Sequence, residues 1–389
     1  IVQQTRTQGI ADGLKINGHD VAVLNLHRNY NSRANDTGGA GSQIKLSGLL
    51  IQQTPSHSIT NIVMGEIRRF LANIRYFILE IIYIVKILPD WIIARPGFTW
   101  SVFFSAKIMR RKITIDTDGP VMEIFKYMGG GIPEYYLDLE RILIKKSLSI
   151  AVISSGMKKF YSSFGGDPGR IFVCPNAVNP DMFHHGIDPS PVTKRYDLSG
   201  ETIIGFMGNV QPWHGLPGLL NAFPDIAETY KNVRMMLIGV NIDWDKTPKG
   251  IDTRVIDYRG RFICTGKIPH SQMPLYLKAT DIFILPYPQI DFFYFSPIKL
   301  FEAMAVGCAV VGADIGQISE VIEDGRDGLL FTPGNYDDMK NKIVELIGNR
   351  GLRIALGKNA SEKIHREYTW EAAARKMLDA YDYSYGGAR

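Results

Sequence analysis

At 389 residues the chain exceeds the size at which a single hydrophobic core keeps growing, so length alone favours two domains or three. Its 45% hydrophobic and 21% charged fractions exclude a disordered chain. The excess of 44 basic over 39 acidic residues gives +5, too little to argue for a nucleic-acid partner but suited to a phosphate-bearing ligand or an anionic surface.

In chain order, residues 1–20 are polar and lack the apolar segment of a signal peptide. Thr5 to Asn17 reads as a helix stopped by Gly18, Asp20 to Leu26 as a strand, and the Gly- and Asn-rich Arg28–Gln43 as a loop. Phe70 to Trp91 is the most apolar stretch, but Arg75, Glu80 and Lys86 interrupt it and Pro89 closes it. A spanning helix needs about 20 nearly uncharged residues, so this is not one. A buried amphipathic helix is the preferred reading; the alternative is an interfacial membrane helix flanked by Arg68 and Arg69. Strands are expected at Trp91–Arg95 and Ile113–Thr117 around a helix near Trp100–Arg110. Ser149–Ser154 and Ile171–Cys174 follow around a helix near Met157–Ser163. Asn176 to Gly200, with Pro180, Pro189 and Pro191, reads as a connection between domains. A second alternation begins with strands at Thr202–Met207, Arg234–Ile238 and Phe262–Cys264. It continues at Ile282–Leu285, Ala309–Val311 and Leu329–Phe331, with a helical tail from Trp370 to Tyr381. Alternating strands and helices imply an α/β class with parallel sheets covered on both faces. Cys174, Cys264 and Cys308 are scattered without metal-ligand spacing, pointing to a reduced, cytoplasmic setting.

Parallel sheets bind ligands beyond the carboxyl ends of their strands, and segments of the second half with a common ligand chemistry lie there. In Phe206–Gly215 (FMGNVQPWHG) a strand runs into Gly208, and His214 and Gly215 lead to a helix whose amino end suits a phosphate. In Ser296–Gly307 (SPIKLFEAMAVG) Ser296 fits an N-cap, Pro297 the first helical position and Gly307 the stop. Lys299 and Glu302 are neighbours on one face, either a surface ion pair or a phosphate contact beside a ribose contact. In Gly312–Glu320 (GADIGQISE) Gly316 lets the backbone pass close to a ligand.

Together with PNAVNPDMF (175–183), TGKIPHSQMPLYLKATDIFILPYP (265–288), the run from Phe295 to Asn335 and TWEAA (369–373), these segments resemble family 4 of the retaining glycosyltransferases, strongly over 149–375. The resemblance implies a GT-B architecture: two facing Rossmann-like, doubly wound domains with an interdomain cleft. The expected boundaries are an acceptor-binding domain at 1–180, a linker at 181–200, a nucleotide-sugar domain at 201–368 and a C-terminal helix at 369–389 that packs back on the first domain. The family opens with a strand and a Gly-rich loop, so the sequence is expected to begin inside its first domain. The resemblance also implies transfer of a sugar from a UDP- or GDP-sugar, with retention and without a cofactor or bound metal. The acceptor would be a glycan, a lipid-linked sugar or a small molecule, and peripheral association with the inner face of a membrane is compatible with it.

Carried over residue by residue, Glu302 matches the second Glu of the family's E-x7-E motif, which holds the ribose. Lys267 and Ile268 match the loop that reads the base; Gly208, Asn209 and His214 the diphosphate loop; Gly316 and Gln317 the sugar or phosphate contacts. Ser296 and Ile298 open the helix that carries Lys299, which with His214 would stabilise the departing diphosphate. The sequence departs in three places. Tyr294 stands where the first Glu would fall, Asn209 and His214 replace the usual Arg and Lys, and Asp118 stands in place of a His in the first domain, with Asp116 the weaker candidate. These departures keep open a catalytically impaired nucleotide-sugar-binding partner subunit. A dinucleotide-dependent oxidoreductase is disfavoured, because no G-x-G-x-x-G follows a strand.

Overall fold

The computed structural model describes residues 2–23, 59–95, 101–120, 134–208, 211–244 and 250–385. Two parallel sheets organise them. The first has the order β1-β2-β3-β4, formed by Trp91–Ala94, Lys112–Thr117, Ile150–Val152 and Ile171–Val173. The second has the order β10-β9-β8-β5-β6-β7. Its strands are β5 (Thr202–Met207), β6 (Val233–Ile238), β7 (Phe262–Gly266), β8 (Ile282–Leu285), β9 (Ala309–Ala313) and β10 (Leu329–Phe331). All pairings are parallel. Continuous apolar runs such as TIIGFM and IFIL make central strands here, because helices cover both faces and every residue of β5 and β8 is buried.

In the second sheet the chain winds outward from β5 through β6 to β7, then returns to the other side of β5 for β8, β9 and β10. The direction of winding therefore reverses between β5 and β8, and a crevice opens beyond their carboxyl ends. Gly208 follows β5 there. The next loop turns at Gly215, with φ of 67°, so close to the β8 loop that a Cβ would fall 1.6 Å from the Pro286 carbonyl oxygen. Only glycine fits that crossing.

The stretch 181–200 is folded against the second sheet: Phe183, Val192 and Leu198 lie in its core, and Ser190–Arg195 is a helix. The last helix, Trp370–Tyr385, packs on the first one, Val2–Ile16, with Trp370 against Gly9 and Gly13 and with Ile10, Leu14, Met377 and Ala374 in a shared cluster. The Tyr385 hydroxyl donates to the Ile113 carbonyl, so the final segment closes over the first sheet.

Two expectations fail in the first half. Asp20–Val23 carry no strand, and Leu24–Leu26, like the loop at 28–43, lie outside the described residues. The apolar stretch near residue 80 forms the helix Ile59–Ile87, but it does not bury its apolar stripe. The buried Glu80 accepts hydrogen bonds from Ser101 Oγ and Ser105 Oγ, each at 2.9 Å, on the helix Ser101–Ile108. Burial pushes the Glu80 carboxyl above its ordinary value despite those bonds. A buried carboxylate so anchored fixes the rotation of its helix, and the opposite face turns outward. Among the described residues no helix is long and apolar enough to cross a membrane.

Candidate functional site

Beyond β5 and β8 the helix Ile298–Ala305 presents Lys299 and Glu302 one turn apart. Its amino end is held from the other domain. Ser296 is not an N-cap: Pro297 occupies that position with no side-chain cap bond. The Ser296 hydroxyl instead accepts from the Asn176 amide at 2.9 Å, and its carbonyl accepts from Asn176 Nδ2 at 2.7 Å. Both residues are buried, so the long-range bonds displaced the local one. Asn176 Oδ1 in turn accepts from Arg6 at 3.3 Å, and Arg6 makes an ion pair with Asp116 at 2.6 Å. Burial raises the Asp116 carboxyl, but the charges of Arg6 and Arg95 and the Arg6 hydrogen bond outweigh it and leave the group below its ordinary value. A chain of hydrogen bonds thus runs from the first helix across the domains to the opening of the Ile298–Ala305 helix.

Lys299 has the more telling environment. Part of its stem reaches solvent, but Nζ is buried and has no hydrogen-bond partner among the described residues. The ammonium lies 5.1 Å from the ring centroids of both Phe206 and Tyr287. Gly208, with φ of 143°, passes so close that a Cβ there would sit 3.4 Å from Nζ and 3.7 Å from the His214 ring. Burial lowers the Lys299 pKa to about 7. The His214 ring closes the same corner, 5.9 Å edge-on from Tyr287 and 6.4 Å from Phe206. Gly208, His214 and Lys299 are therefore gathered at the switch point, around a buried cation that no carboxylate among the described residues balances. Asn209 lies outside the described residues.

Glu302 is 4% exposed and is not paired with Lys299. Its Oε1 meets His270 Nε2 at 2.8 Å. The Glu302 hydrogen bond raises the His270 pKa above its ordinary value, and partial burial opposes it. His270 comes from the short helix after the β7 loop, whose Lys267 is exposed and whose Ile268 is half-buried against the core. Nothing local in the sequence marks His270, whose partner is 32 positions away. Ile298 is half-buried in the first turn of the Lys299 helix.

Tyr294, Gly316 and Gln317 are engaged between the domains. The Tyr294 ring is buried in a cluster of the first domain with Ile153, Met157 and Tyr161, and its carbonyl accepts from Ser154 Oγ at 2.8 Å. Gly316 sits against the Phe293 ring, and Gln317 Nε2 donates to the Ile153 carbonyl at 2.7 Å. Gln317 Oε1 is buried without a partner among the described residues. In the first domain Asp118 does not stand alone: its Oδ2 is 2.6 Å from Arg95 NH2, while Arg95 NH1 holds Asp116 at 3.0 Å.

Residues 201–349 match the family model for glycosyl transferases group 1. Among characterised relatives, the phosphatidyl-myo-inositol mannosyltransferase of Mycolicibacterium smegmatis is 26% identical over 234 residues, 60% of this chain and 56% of that protein. The D-inositol 3-phosphate glycosyltransferase of Corynebacterium efficiens is 24% identical over 232 residues, 56% of this chain and 52% of that protein. The chain thus spans little more than half the length of these relatives. In three dimensions it resembles sucrose-phosphate synthase from Thermosynechococcus elongatus, with a TM-score of 0.64 and 18% identity over 82% of this chain and 79% of that one. Anabaena HepE in complex with UDP and glucose gives 0.62 and 18% identity over 78% and 80%. The likeness to both shows the GT-B arrangement of two parallel-sheet domains, and the match to glycosyl transferases group 1 lies over the second sheet.

Proposed function

We propose that the chain transfers a sugar from a UDP- or GDP-sugar to an acceptor hydroxyl, with the donor diphosphate seated between Gly208, His214 and Lys299. The observation that carries this reading is the buried Lys299 ammonium, unbalanced among the described residues and backed by two aromatic rings. A buried cation is costly unless an anion meets it, and a nucleotide diphosphate is the anion that fits beside a buried carboxylate one turn on. Glu302, with an oxygen still available beside its His270 contact, accepts hydrogen bonds from the ribose diol. Lys267 and Ile268 border the base, and Ser296 and Ile298 set the helix end.

In the reaction, Lys299 offsets the negative charge that develops on the leaving diphosphate in a site where the rings exclude water. Transfer proceeds with retention, the acceptor attacking the face from which the diphosphate departs. In this reading the positive charge comes from the protein, without a bound metal or other cofactor. The donor lies against the second domain, which includes the stretch 181–200, and the acceptor lies on the first-domain wall carrying Arg95 and Asp118. The relatives named for inositol and phosphatidylinositol acceptors favour a polyol or lipid-linked acceptor. A screen of UDP-, GDP-, ADP- and TDP-sugars by thermal shift tests the donor site. A true donor at a hundred times its Kd stabilises the fold by about 2.7 kcal/mol, and a set of donors without effect overturns the reading.

The second reading, a nucleotide-sugar-binding partner subunit without transfer activity, is favoured by the Arg95–Asp118 pair and by the burial of Tyr294 away from the crevice. Donor stabilisation with no transfer of labelled sugar to any acceptor class would select it.

A further inference from the structure

The two oxygens of the buried Glu302 carboxylate have unequal surroundings. Oε1 meets His270 Nε2 at 2.8 Å. Oε2 has no hydrogen-bond partner among the described residues, yet it is not sealed from solvent. The His270 side chain is 37% exposed against 5% for Glu302, so the imidazole is the outer member of the pair. The ring is seated on the buried Phe183, with centroids 5.6 Å apart and planes at 51°. Its backbone is stiff as well: Pro269 precedes it, and the short helix His270–Gln272 leads directly into Met273–Lys278, which has Pro274 in its first turn. Glu302 itself has a long side chain whose last torsion is broad. A glutamate three positions after a lysine on a helix lies within reach of it. Lys299 Nζ is buried without a partner among the described residues, so a pair between the two would relieve both charges. It would also leave neither for a ligand. The structure shows the other arrangement, with Glu302 turned to His270.

We propose that His270 is a positioning residue for donor recognition, holding the Glu302 carboxylate off Lys299 so that Oε2 is free for the ribose diol and the ammonium for the diphosphate. This role presupposes the donor seat proposed for Glu302 and Lys299. A carboxylate pinned at one oxygen meets a ligand without first losing rotamer freedom, and the ribose contact is stronger for it. An imidazole with its proton on Nε2 donates to Oε1 whether the ring is charged or neutral, so the role persists across the histidine titration. His270 acts through Glu302 and not on the reacting atoms. Its effect is therefore read in how well the site tells a ribose from a deoxyribose.

The test compares UDP with 2′-deoxy-UDP, and GDP with 2′-deoxy-GDP, by calorimetry on the unmodified chain and on His270→Ala, His270→Gln and Glu302→Ala. The two members of each pair share a diphosphate, so the contribution of Lys299 cancels in their ratio. His270 is partly exposed, so neither substitution there should unfold the chain. The nucleotide that binds should be preferred over its deoxy form by roughly tenfold, the worth of one hydrogen bond to a charged group. His270→Ala should cut that preference to about twofold or less, whereas His270→Gln, whose amide donates from the same place, should keep most of it. Adding His270→Ala to Glu302→Ala should change the ratio no further. A preference that survives in His270→Ala but vanishes in Glu302→Ala overturns the positioning role and leaves the donor seat standing. Equal loss in the alanine and glutamine variants overturns it too, since the ring would then matter for something other than its N–H donor. No preference in the unmodified chain, with Glu302→Ala equally without effect, removes the ribose contact itself and the role of His270 with it.

Discussion

Lys299 links the donor site to pH in a way that can be worked out before any donor is identified. Burial holds its pKa at about 7 against an ordinary 10.5. Near pH 8 only about a tenth of free molecules then carry the ammonium, whereas near pH 6 about nine tenths do. A nucleotide sugar has no titrating proton of its own in this range, and its diphosphate must meet a charged Lys299. Binding near pH 8 therefore draws in almost one proton and should be about tenfold weaker than near pH 6, or about 1.4 kcal/mol. Calorimetry in two buffers of different ionisation enthalpy reads the proton directly. The same burial acts on stability with the opposite sign. Because the folded-state pKa lies below the unfolded one, the unfolded chain binds more protons between about pH 7 and 10.5, so stability rises across that window and the deficit is complete below about pH 7. The shift corresponds to about 4–5 kcal/mol at most; the partly exposed stem and the Phe206 and Tyr287 faces reduce this to about 2 kcal/mol. Lys299→Met should then raise the melting temperature at neutral pH while donor binding is lost. A Lys299→Met protein that binds donor as well as the unmodified chain, with no proton uptake in either, would refute the reasoning.

Glu302→Ala should weaken donor binding by about a hundredfold, since two charge-assisted ribose bonds at about 1.5 kcal/mol each are removed, and calorimetry with the donor measures it. His270 and Glu302 give a second pH signature. The raised His270 pKa means their mutual stabilisation is complete below the ordinary histidine value of 6.5 and is lost as pH rises through the raised one. His270→Ala should therefore lower the melting temperature more in acid than near pH 9; with the pair partly exposed the effect stays below about 1 kcal/mol. Asn176→Ala removes the buried side-chain bonds to the Ser296 carbonyl and from Arg6, keeps the backbone bond to the Ser296 hydroxyl, and should cost about 2 kcal/mol in urea unfolding. It should also raise the donor KM, because the Lys299 helix loses the side-chain half of its anchor.

The second sheet was legible in the sequence because its strands are buried on both faces and read as continuous apolar runs: Thr202–Met207, Ile282–Leu285 and Leu329–Phe331 have the expected bounds. Lys299 and Glu302 were legible as neighbours because helical spacing is a local property. What the sequence did not disclose depends on partners far along the chain. Ser296 looks like an N-cap until Asn176, 120 residues away, takes its hydroxyl. Glu302 looks ready to pair with Lys299 until His270 arrives from another strand's loop. Asp118 resembles a free carboxylate until Arg95 folds beside it. The helix near residue 80 has the pattern of a buried amphipathic element, and only the Glu80 bonds to Ser101 and Ser105 decide which face turns outward.

A crystal structure with the nucleotide sugar that gives the largest thermal shift would show directly where a bound donor places its diphosphate. The predicted result is a diphosphate oxygen within hydrogen-bond reach of Lys299 Nζ, close to Gly208, with the ribose hydroxyls on Glu302. A diphosphate bound elsewhere, with Lys299 still enclosed between Phe206 and Tyr287 and without an anionic partner, would contradict it.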